Sequence, residues 1–321
     1  MELIRGLANL RPVHQGCVAT IGNFDGVHLG HQAVLGQLSE QAARMHVPSV
    51  IVMFEPQPLE YFTPDKAPPR LTRFREKFEA LRRLNIDRLL CLPFHRALAQ
   101  MPAQEFIQRV LLKGLGIKYL VVGDDFRFGR GREGDFAMLQ AAGQQFDFQV
   151  VNMHTFNIDG QRVSSTRLRQ ALQAGDLAMA ERLLGRCYRM SGRVAHGDKL
   201  GRQLGYPTAN LHLQRKATPL HGIFVVEVFG IAGEPLPGVA SLGTRPTVDG
   251  KKTLLEVYLF DFDRDIYGQH LQVSFLHKLR DEARFATLDA LKQQIARDVA
   301  DAQQYFLRLQ HTDFHIEKKL N

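Results

Sequence analysis

The sequence predicts an α/β domain with a parallel sheet and helices on both faces, followed by a small antiparallel β-barrel and a C-terminal helix. Three observations predict it. In the first half, short apolar runs at 18–24, 50–54, 89–93, 119–123 and 148–153 alternate with helical patterns over 73–85, 103–115 and 133–145. Strands that alternate with helices lie parallel and present ligands beyond their carboxyl ends. In the second half the pattern changes to short strands at 224–229, 238–242, 254–260 and 271–276, separated by glycine and proline turns. Third, 321 residues exceed the usual single core, so two domains are expected. The boundary is placed where GDLAMAERLLGRCYRM, residues 175–190, ends a short helix near Gly185, giving domains 1–185 and 186–321. A closing helix with Leu288, Leu291, Ile295 and Val299 on one side should pack on the barrel.

Composition narrows the function. With 45% hydrophobic and 23% charged residues, the chain is ordinary globular protein, with no apolar run of membrane-spanning length. The opening MELIRGLANLRP lacks the apolar core of a signal peptide, and a cytoplasmic location is expected. Cys17, Cys91 and Cys187 are far apart and form no metal-type pair; they are expected as buried, reduced thiols. A net charge of +8 fits either a nucleic-acid binder or an enzyme of polyanionic nucleotides. The Lys and Arg are spread along the chain without a long basic run or an RNA-binding aromatic signature. Small anionic substrates are therefore favoured over nucleic acid or membrane. Oligomeric state is left open between a monomer and a weak oligomer.

TIGNFDGVHLGH, residues 20–31, joins an apolar strand to a helix through a turn with three glycines and two histidines. A strand feeding a helix in this way points unpaired N–H groups and the positive dipole end at whatever lies above the turn, a setting that suits phosphate. His28 and His31, three residues apart, add two side-chain donors. Helix capping and a metal pair are the competing uses of histidines at this spacing. The run GNFDGVHLGH resembles the HxGH signature of the nucleotidylyltransferase superfamily and, within it, the flavin-adenylylating branch. Later segments extend the resemblance over almost the whole chain, to the bacterial bifunctional riboflavin kinase/FMN adenylyltransferases.

The resemblance implies a Rossmann-like nucleotidylyltransferase domain in which FMN attacks the α-phosphorus of ATP and pyrophosphate leaves. His28 and His31 would stabilise the transferring phosphoryl and the leaving group, with Gly22, Asn23, Asp25 and Gly30 shaping the turn around the nucleotide. EPQPLEYFTPDKAPPR, residues 55–70, has five prolines, too many for a helix or central strand, and is expected as a long mobile flap. In the resembled family that region, which includes Phe62, borders the flavin. VVGDDFRFGRGREGD, residues 121–135, contains a formal GxGxxG at Gly129, Gly131 and Gly134. The match is a decoy, because the glycines do not follow the strand directly and no ribose-binding acid follows. Its arginines are available to anions and its phenylalanines to rings. GDDFRFG resembles a family segment that lines the adenine and flavin cleft, which assigns Asp125, Phe126, Arg127 and Phe128 to flavin. RVSSTRLRQAL, residues 162–172, heads a helix with hydroxyls that are good caps. Arg167 and Arg169 in its first turn oppose the dipole unless an anion is present. The run resembles the family motif ISSTxxR, so Ser165, Thr166 and Arg167 form a second phosphate grip by resemblance.

HGDKLGRQLGYPTANL, residues 196–211, has glycines at 197, 201 and 205, with Thr208 and Asn210 at alternate spacing that puts both on one strand face. A polar strand end after a turn would look similar. GxPTAN resembles the riboflavin kinase signature, and GVASLGTRPTV, LEVYLFDFDRDIYG and FLHKLRDEARF follow in the order of that kinase. By resemblance, Gly197, Lys199, Gly201 and Gly205 border ATP, and Thr208 and Asn210 hold Mg²⁺ and the phosphates. Glu256 takes the proton of the ribityl hydroxyl, and Arg280, Asp281 and Phe285 close over the flavin. The implied cofactor is Mg²⁺, with ATP, riboflavin and FMN as substrates.

Overall fold

The computed structural model describes all residues except Asp124, Met153, His154, Asp198, Lys199, Lys216, Val248, Asp249 and Asn321; for Leu200, 245–247, 250–252 and 310–320 it describes the backbone alone. The chain divides into two compact units. One comprises Met1–Pro68 and Thr72–Ser164, the other Pro69–Leu71 and Ser165–Asn321.

The first unit runs β1 (Glu2–Arg5), β2 (Cys17–Ile21), α1 (Leu29–Met45), β3 (Ser49–Glu55), α2 (Pro58–Phe62), α3 (Phe74–Arg82), β4 (Arg88–Pro93), α4 (Arg96–Ala99), α5 (Ala103–Phe106, continued as a π-helix Ile107–Gly114), β5 (Ile117–Val122), α6 (Phe136–Phe146), β6 (Gln149–Asn152) and a small hairpin of β7 (Asn157–Ile158) and β8 (Gln161–Arg162). Its six-stranded sheet has the order β1-β4-β3-β2-β5-β6, all pairs parallel. The apolar runs are continuous because both faces are covered. Cys17, Ala19, Val50, Val52, Leu90 and Leu92 enter one buried cluster, whereas Val18, Ile51, Met53, Leu89 and Cys91 enter another with Val34, Leu35 and Leu38 of α1. Strand order reverses between β2 and β5, so the crevice beyond their carboxyl ends is the switch point where an open α/β sheet binds ligands. The turn after β2 and the loop after β5 are the two glycine-rich segments singled out in the sequence.

In the second unit α7 (Ser165–Ala174) and α8 (Leu177–Leu184) precede β9 (Tyr188–Ala195), α9 (Leu200–Gln203), β10 (Thr208–His212), β11 (Gly222–Phe229), β12 (Leu236–Thr247), β13 (Gly250–Leu259), β14 (His270–Arg280) and α10 (Leu288–Leu320). The strands close into a barrel, β10-β13-β12-β11-β14-β9, in which every neighbouring pair is antiparallel. Alternation along each strand separates two environments. Phe224 and Phe275 meet edge to face at 5.3 Å among buried residues, while Ile223, Val225 and Val239 join Val299, Ala302 and Phe306 of α10 in another cluster. Gly185, in the left-handed conformation at φ 70°, ends α8.

Two expectations are modified. Residues 55–70 are not wholly irregular: Pro58 stands at the start of α2, a position where its missing N–H is harmless. Cys187 is partly exposed and its Sγ lies 3.4 Å from Glu181 Oε1; Cys17 and Cys91 are buried. By contact, α7 and α8 group with the barrel strands in the second unit, because α8 packs on β9 and β14 and α7 packs on α8. Arg169 also ties Pro69 into that unit, its Nε donating to the Pro69 carbonyl at 2.8 Å.

Phe224, fully buried against Phe275 in the barrel, has no room to be replaced cheaply. Phe224→Ala should cost about 3–5 kcal/mol, measured as a lower denaturation midpoint of the barrel.

Candidate active sites

In the first unit, the site is built on the head of α1. His28 is the N-cap, and its Nδ1 accepts from the backbone N–H of His31 at 3.3 Å. That bond makes Nδ1 the acceptor nitrogen, so a neutral His28 carries its proton on Nε2. The two imidazoles stack with centroids 3.6 Å apart and planes 15° from parallel. Phe24 lies 5.0 Å from the His31 ring. His31 Nδ1 is buried and makes no hydrogen bond among the described residues. Burial holds the His31 imidazole well below its ordinary pKa of 6.5, and the neighbouring His28, Lys77 and Arg162 charges add to that effect. Gly30 leaves the space the stack needs: a Cβ there would meet His28 Nδ1 and the Val163 carbonyl, both at 3.2 Å.

The turn that presents these groups is strained. Phe24 and Val27 are buried with φ of 47° and 46°, a region that a β-branched residue rarely enters. Lys77 in the first turn of α3 and Thr72, two residues before the helix, hold this conformation. Asp25, itself buried, accepts from the Thr72 N–H at 3.0 Å and the Thr72 hydroxyl at 3.1 Å; Gly26 N–H donates to Thr72 Oγ1 at 2.9 Å. Lys77 Nζ donates to the Asn23 carbonyl at 2.5 Å. Asp25 and the Asn23 backbone therefore bond to protein groups that fix the turn. Gly22 abuts the Phe24 ring, which lies 3.0 Å from where its Cβ would be.

Beyond β3 and β5, Phe62, Phe126, Arg127 and Phe128 meet around a cavity of about 110 Å³, with Phe54, Phe94 and Phe106 in the same lining. Phe126 and Phe128 stack at 5.6 Å, and Phe62 meets Phe94 edge-on. Asp125 is not in this lining; its carboxylate pairs with Arg162 at 3.5 Å. Of the second grip, Ser165, Thr166 and Arg167 open α7, and an Arg167 amine lies 3.7 Å from Met179 Sδ.

The barrel unit has a larger cavity, about 320 Å³, on the outer face of β13. Gly201, Thr208, Glu256, Arg280 and Phe285 line it together, with Tyr206, Tyr258 and residues of α10. Alternation explains this: Leu255, Val257 and Leu259 are buried, which leaves Leu254, Glu256 and Tyr258 facing the cavity. Asn210 lies opposite Glu256, and Thr208 opposite Tyr258, across the β10–β13 pair. The glycine loop packs against the same strand. A Cβ on Gly197 would strike the Asn210 amide at 2.4 Å, and one on Gly201 the Tyr206 carbonyl at 2.5 Å. Gly205 has a φ of 89°. Lys199 lies outside the described residues. Arg280 does not reach freely into the cavity: it forms a two-point ion pair with Asp298 of α10 at 2.8 and 2.6 Å, and Gln294 donates to the same carboxylate. Asp281 is exposed and pairs with Lys278 Nζ at 2.6 Å, which lowers its pKa. Lys77 and Asp298 are the site-bordering residues that the sequence analysis missed. Both were signalled by a charge on an apolar helix stripe, at Phe74-Lys77-Leu81 and Ile295-Asp298-Ala302.

Residues 10–167 match the FAD synthetase family model, and residues 184–306 match the riboflavin kinase family model. The bifunctional riboflavin kinase/FMN adenylyltransferase of Escherichia coli (strain K12) is 53% identical over 307 residues, covering 95% of this chain and 98% of that protein. This chain belongs to that family. The Pseudomonas fluorescens enzyme of the same name is 55% identical over 303 residues, with 94% and 97% of the two chains covered. A crystal structure of a macrolide-efflux protein from Streptococcus pneumoniae is 31% identical and has a TM-score of 0.78, covering 93% of this chain and 97% of that one. Among the described residues no helix is long and apolar enough to cross a membrane.

The neutral His31 has a consequence for stability. Above about pH 6.5 the folded and unfolded chains both carry it uncharged. As pH falls through that value the unfolded chain takes up a proton that the folded one refuses, so stability of the first unit declines. Denaturation midpoints at about pH 7.5 and about pH 5.5 should show this loss, and His31→Gln should lessen it.

Proposed function

We propose that this chain carries out both reactions of its family, with adenylyl transfer on the α/β unit and riboflavin phosphorylation on the barrel. The division of labour follows the expected boundary, residues 1–185 and 186–321. The observation that carries this reading is that each unit has its own cluster of expected groups: the His28–His31 stack at a helix head in one, and Glu256 beside Thr208 in a cavity in the other.

On the α/β unit, an FMN phosphate oxygen attacks the α-phosphorus of ATP and the bond to the β,γ-pyrophosphate breaks. No covalent enzyme intermediate is needed, so positioning and charge neutralisation account for the acceleration. His28 Nε2–H, the His31 ring and the free N–H groups of α1 donate to the phosphoryl oxygens as negative charge moves to the leaving group. Ser165, Thr166 and Arg167 hold the pyrophosphate, an assignment that rests on the resemblance of RVSSTRLR. The aromatic cavity with Phe62, Phe126 and Phe128 suits an isoalloxazine ring, with Arg127 at its edge. Gly22, Asn23, Asp25 and Gly30 shape the turn, and Asp125 acts through Arg162 at its border.

On the barrel, the Glu256 carboxylate accepts the proton of the ribityl 5′-hydroxyl as its oxygen bonds to the γ-phosphorus and ADP leaves. Thr208 Oγ1 and the Asn210 side-chain carbonyl are oxygen donors of the kind Mg²⁺ prefers, and Gly197 and Gly201 let the loop close on their strand. When bound, the ion neutralises phosphate charge. Gly205 and Lys199 border the ATP, while Arg280, Asp281 and Phe285 cover the flavin, Arg280 from its anchorage on Asp298. We place both reactions in the cytoplasm, where ATP is supplied, with small molecules rather than nucleic acid as partners and a monomer or weak oligomer as the working form.

Two variants test the division. His28→Ala with His31→Ala should reduce FAD formation by about 10²- to 10³-fold while FMN still accumulates; near-normal FAD synthesis would refute the assignment. Glu256→Gln should slow riboflavin phosphorylation by about 10²- to 10⁴-fold yet still convert added FMN to FAD. A Glu256→Gln rate close to the parent would move the base elsewhere, first to Asp261 or Asp263.

A further inference from the structure

We propose that Lys77 is a positioning residue for adenylyl transfer: from α3, its buried ammonium holds the β2–α1 turn in the strained form that stacks His28 on His31. The inference rests on the assignment of these histidines to the transferring phosphoryl.

Lys77 is fully buried, an unusual place for an ammonium. Removing such a charge from water costs several kcal/mol unless protein dipoles replace the lost solvent. The Asn23 carbonyl is one such dipole, 2.5 Å from Nζ. Asn23 directly precedes Phe24, the first of the two residues driven to positive φ, and Val27, the second, directly precedes His28. Each such residue costs about 1–3 kcal/mol and persists only where its surroundings enforce it. Thr72, five residues before Lys77, grips Asp25 and Gly26 in the middle of the same turn. The start of α3 thus fixes Asn23, Asp25 and Gly26 at once.

A neutral side chain at position 77 would leave the Asn23 carbonyl facing inward without its ammonium, so the turn could relax and the imidazoles separate. Lys77 also acts through charge. The groups that bear on His31 are His28 from the turn, Lys77 from α3 and Arg162 from β8, all cationic or able to become so. They add to the burial that holds the imidazole neutral and place positive potential behind it, where a triphosphate would be drawn. Because Lys77 is covered, it does this without touching substrate.

The test uses the full chain, whose barrel reaction is an internal control. Lys77→Met keeps the length of the side chain but removes charge and donor. We expect kcat for FAD formation from FMN and ATP to fall about 10- to 100-fold, riboflavin phosphorylation to stay within about twofold, and the His31 ring resonances to titrate at higher pH. Lys77→Arg, which restores charge and donor, should return the His31 titration toward the parent. Parental FAD formation in Lys77→Met overturns the proposal, as does a loss of activity with an unmoved His31 titration. Should Lys77→Met not fold, Lys77→Gln, with a donor and no charge, decides by the same two readouts. If His31→Ala itself leaves FAD formation intact, the site assignment fails; if His31→Ala abolishes it and Lys77→Met does not, the Lys77 inference alone falls.

Discussion

The first unit depends on one constraint: the head of α1 must stand beyond the end of β2 with His28 as its cap and the two imidazoles stacked. A helix that begins directly on a central parallel strand cannot use ordinary turn geometry, and the chain accepts positive φ at Phe24 and Val27 to make the connection. That conformation is costly, so it needs external support. The support comes from the residues at the start of α3, through Thr72 and Lys77. Sheet order completes the arrangement. Because β2 lies beside both β3 and β5, the strained turn opens onto the switch-point crevice, next to the loop that carries Phe126 and Phe128.

In the barrel the corresponding constraint is the period of two along β13. Inward residues Leu255, Val257 and Leu259 complete an apolar interior, and the same alternation sends Glu256 and Tyr258 to the outer face. An exposed face would serve poorly for phosphoryl transfer, where water competes with the acceptor hydroxyl. Helix α10 covers part of it. The Arg280–Asp298 pair that joins this helix to the end of β14 is no evidence of extra stability, since the desolvation of two charges offsets their attraction. Its effect is placement: two parallel hydrogen bonds fix one rotation of α10 and one position of the guanidinium at the cavity.

Much of this was legible in the sequence. The apolar runs located the central strands to within a few residues, and alternation put Thr208 with Asn210 on one face of their strand and Glu256 with Tyr258 on one face of theirs, which the β10–β13 register makes a common face. What escaped was of a different kind. Strand β1, Glu2–Arg5, is four residues long and mostly unburied, so it carries no clear periodic signal. The placement of α7 and α8 with the barrel depends on which surface they bury, and an amphipathic pattern states that a face is buried without naming its partner. Lys77 and Asp298 look like solvent-facing charges in charged helices until the register of the apolar residues is followed. Phe74 and Leu81 put Lys77 inward, and Ile295 and Ala302 do the same for Asp298. For Arg280 a sequence reveals the cation but not the buried Asp298 carboxylate that it pairs with.

The two sites also differ in a way that chemistry explains. In adenylyl transfer the attacking group is a phosphate oxygen that is already anionic at neutral pH, so a general base would contribute nothing. The difficulty is bringing one anion against another. On the proposed assignment, the α/β site answers this with the two imidazoles at the head of α1 and the charges of Lys77 and Arg162 near them, and its nearby carboxylate, Asp25, is buried and bonded to Thr72. In riboflavin phosphorylation the attacking group is a neutral hydroxyl, which gains nucleophilicity as it loses its proton. A site for that reaction needs a carboxylate facing the cavity, and on the proposed assignment Glu256 supplies it from a strand whose alternate residues Leu255, Val257 and Leu259 are committed to the interior. On this reading the protonation state of each nucleophile, rather than the shared use of ATP, decides which residue types each domain must place at its site.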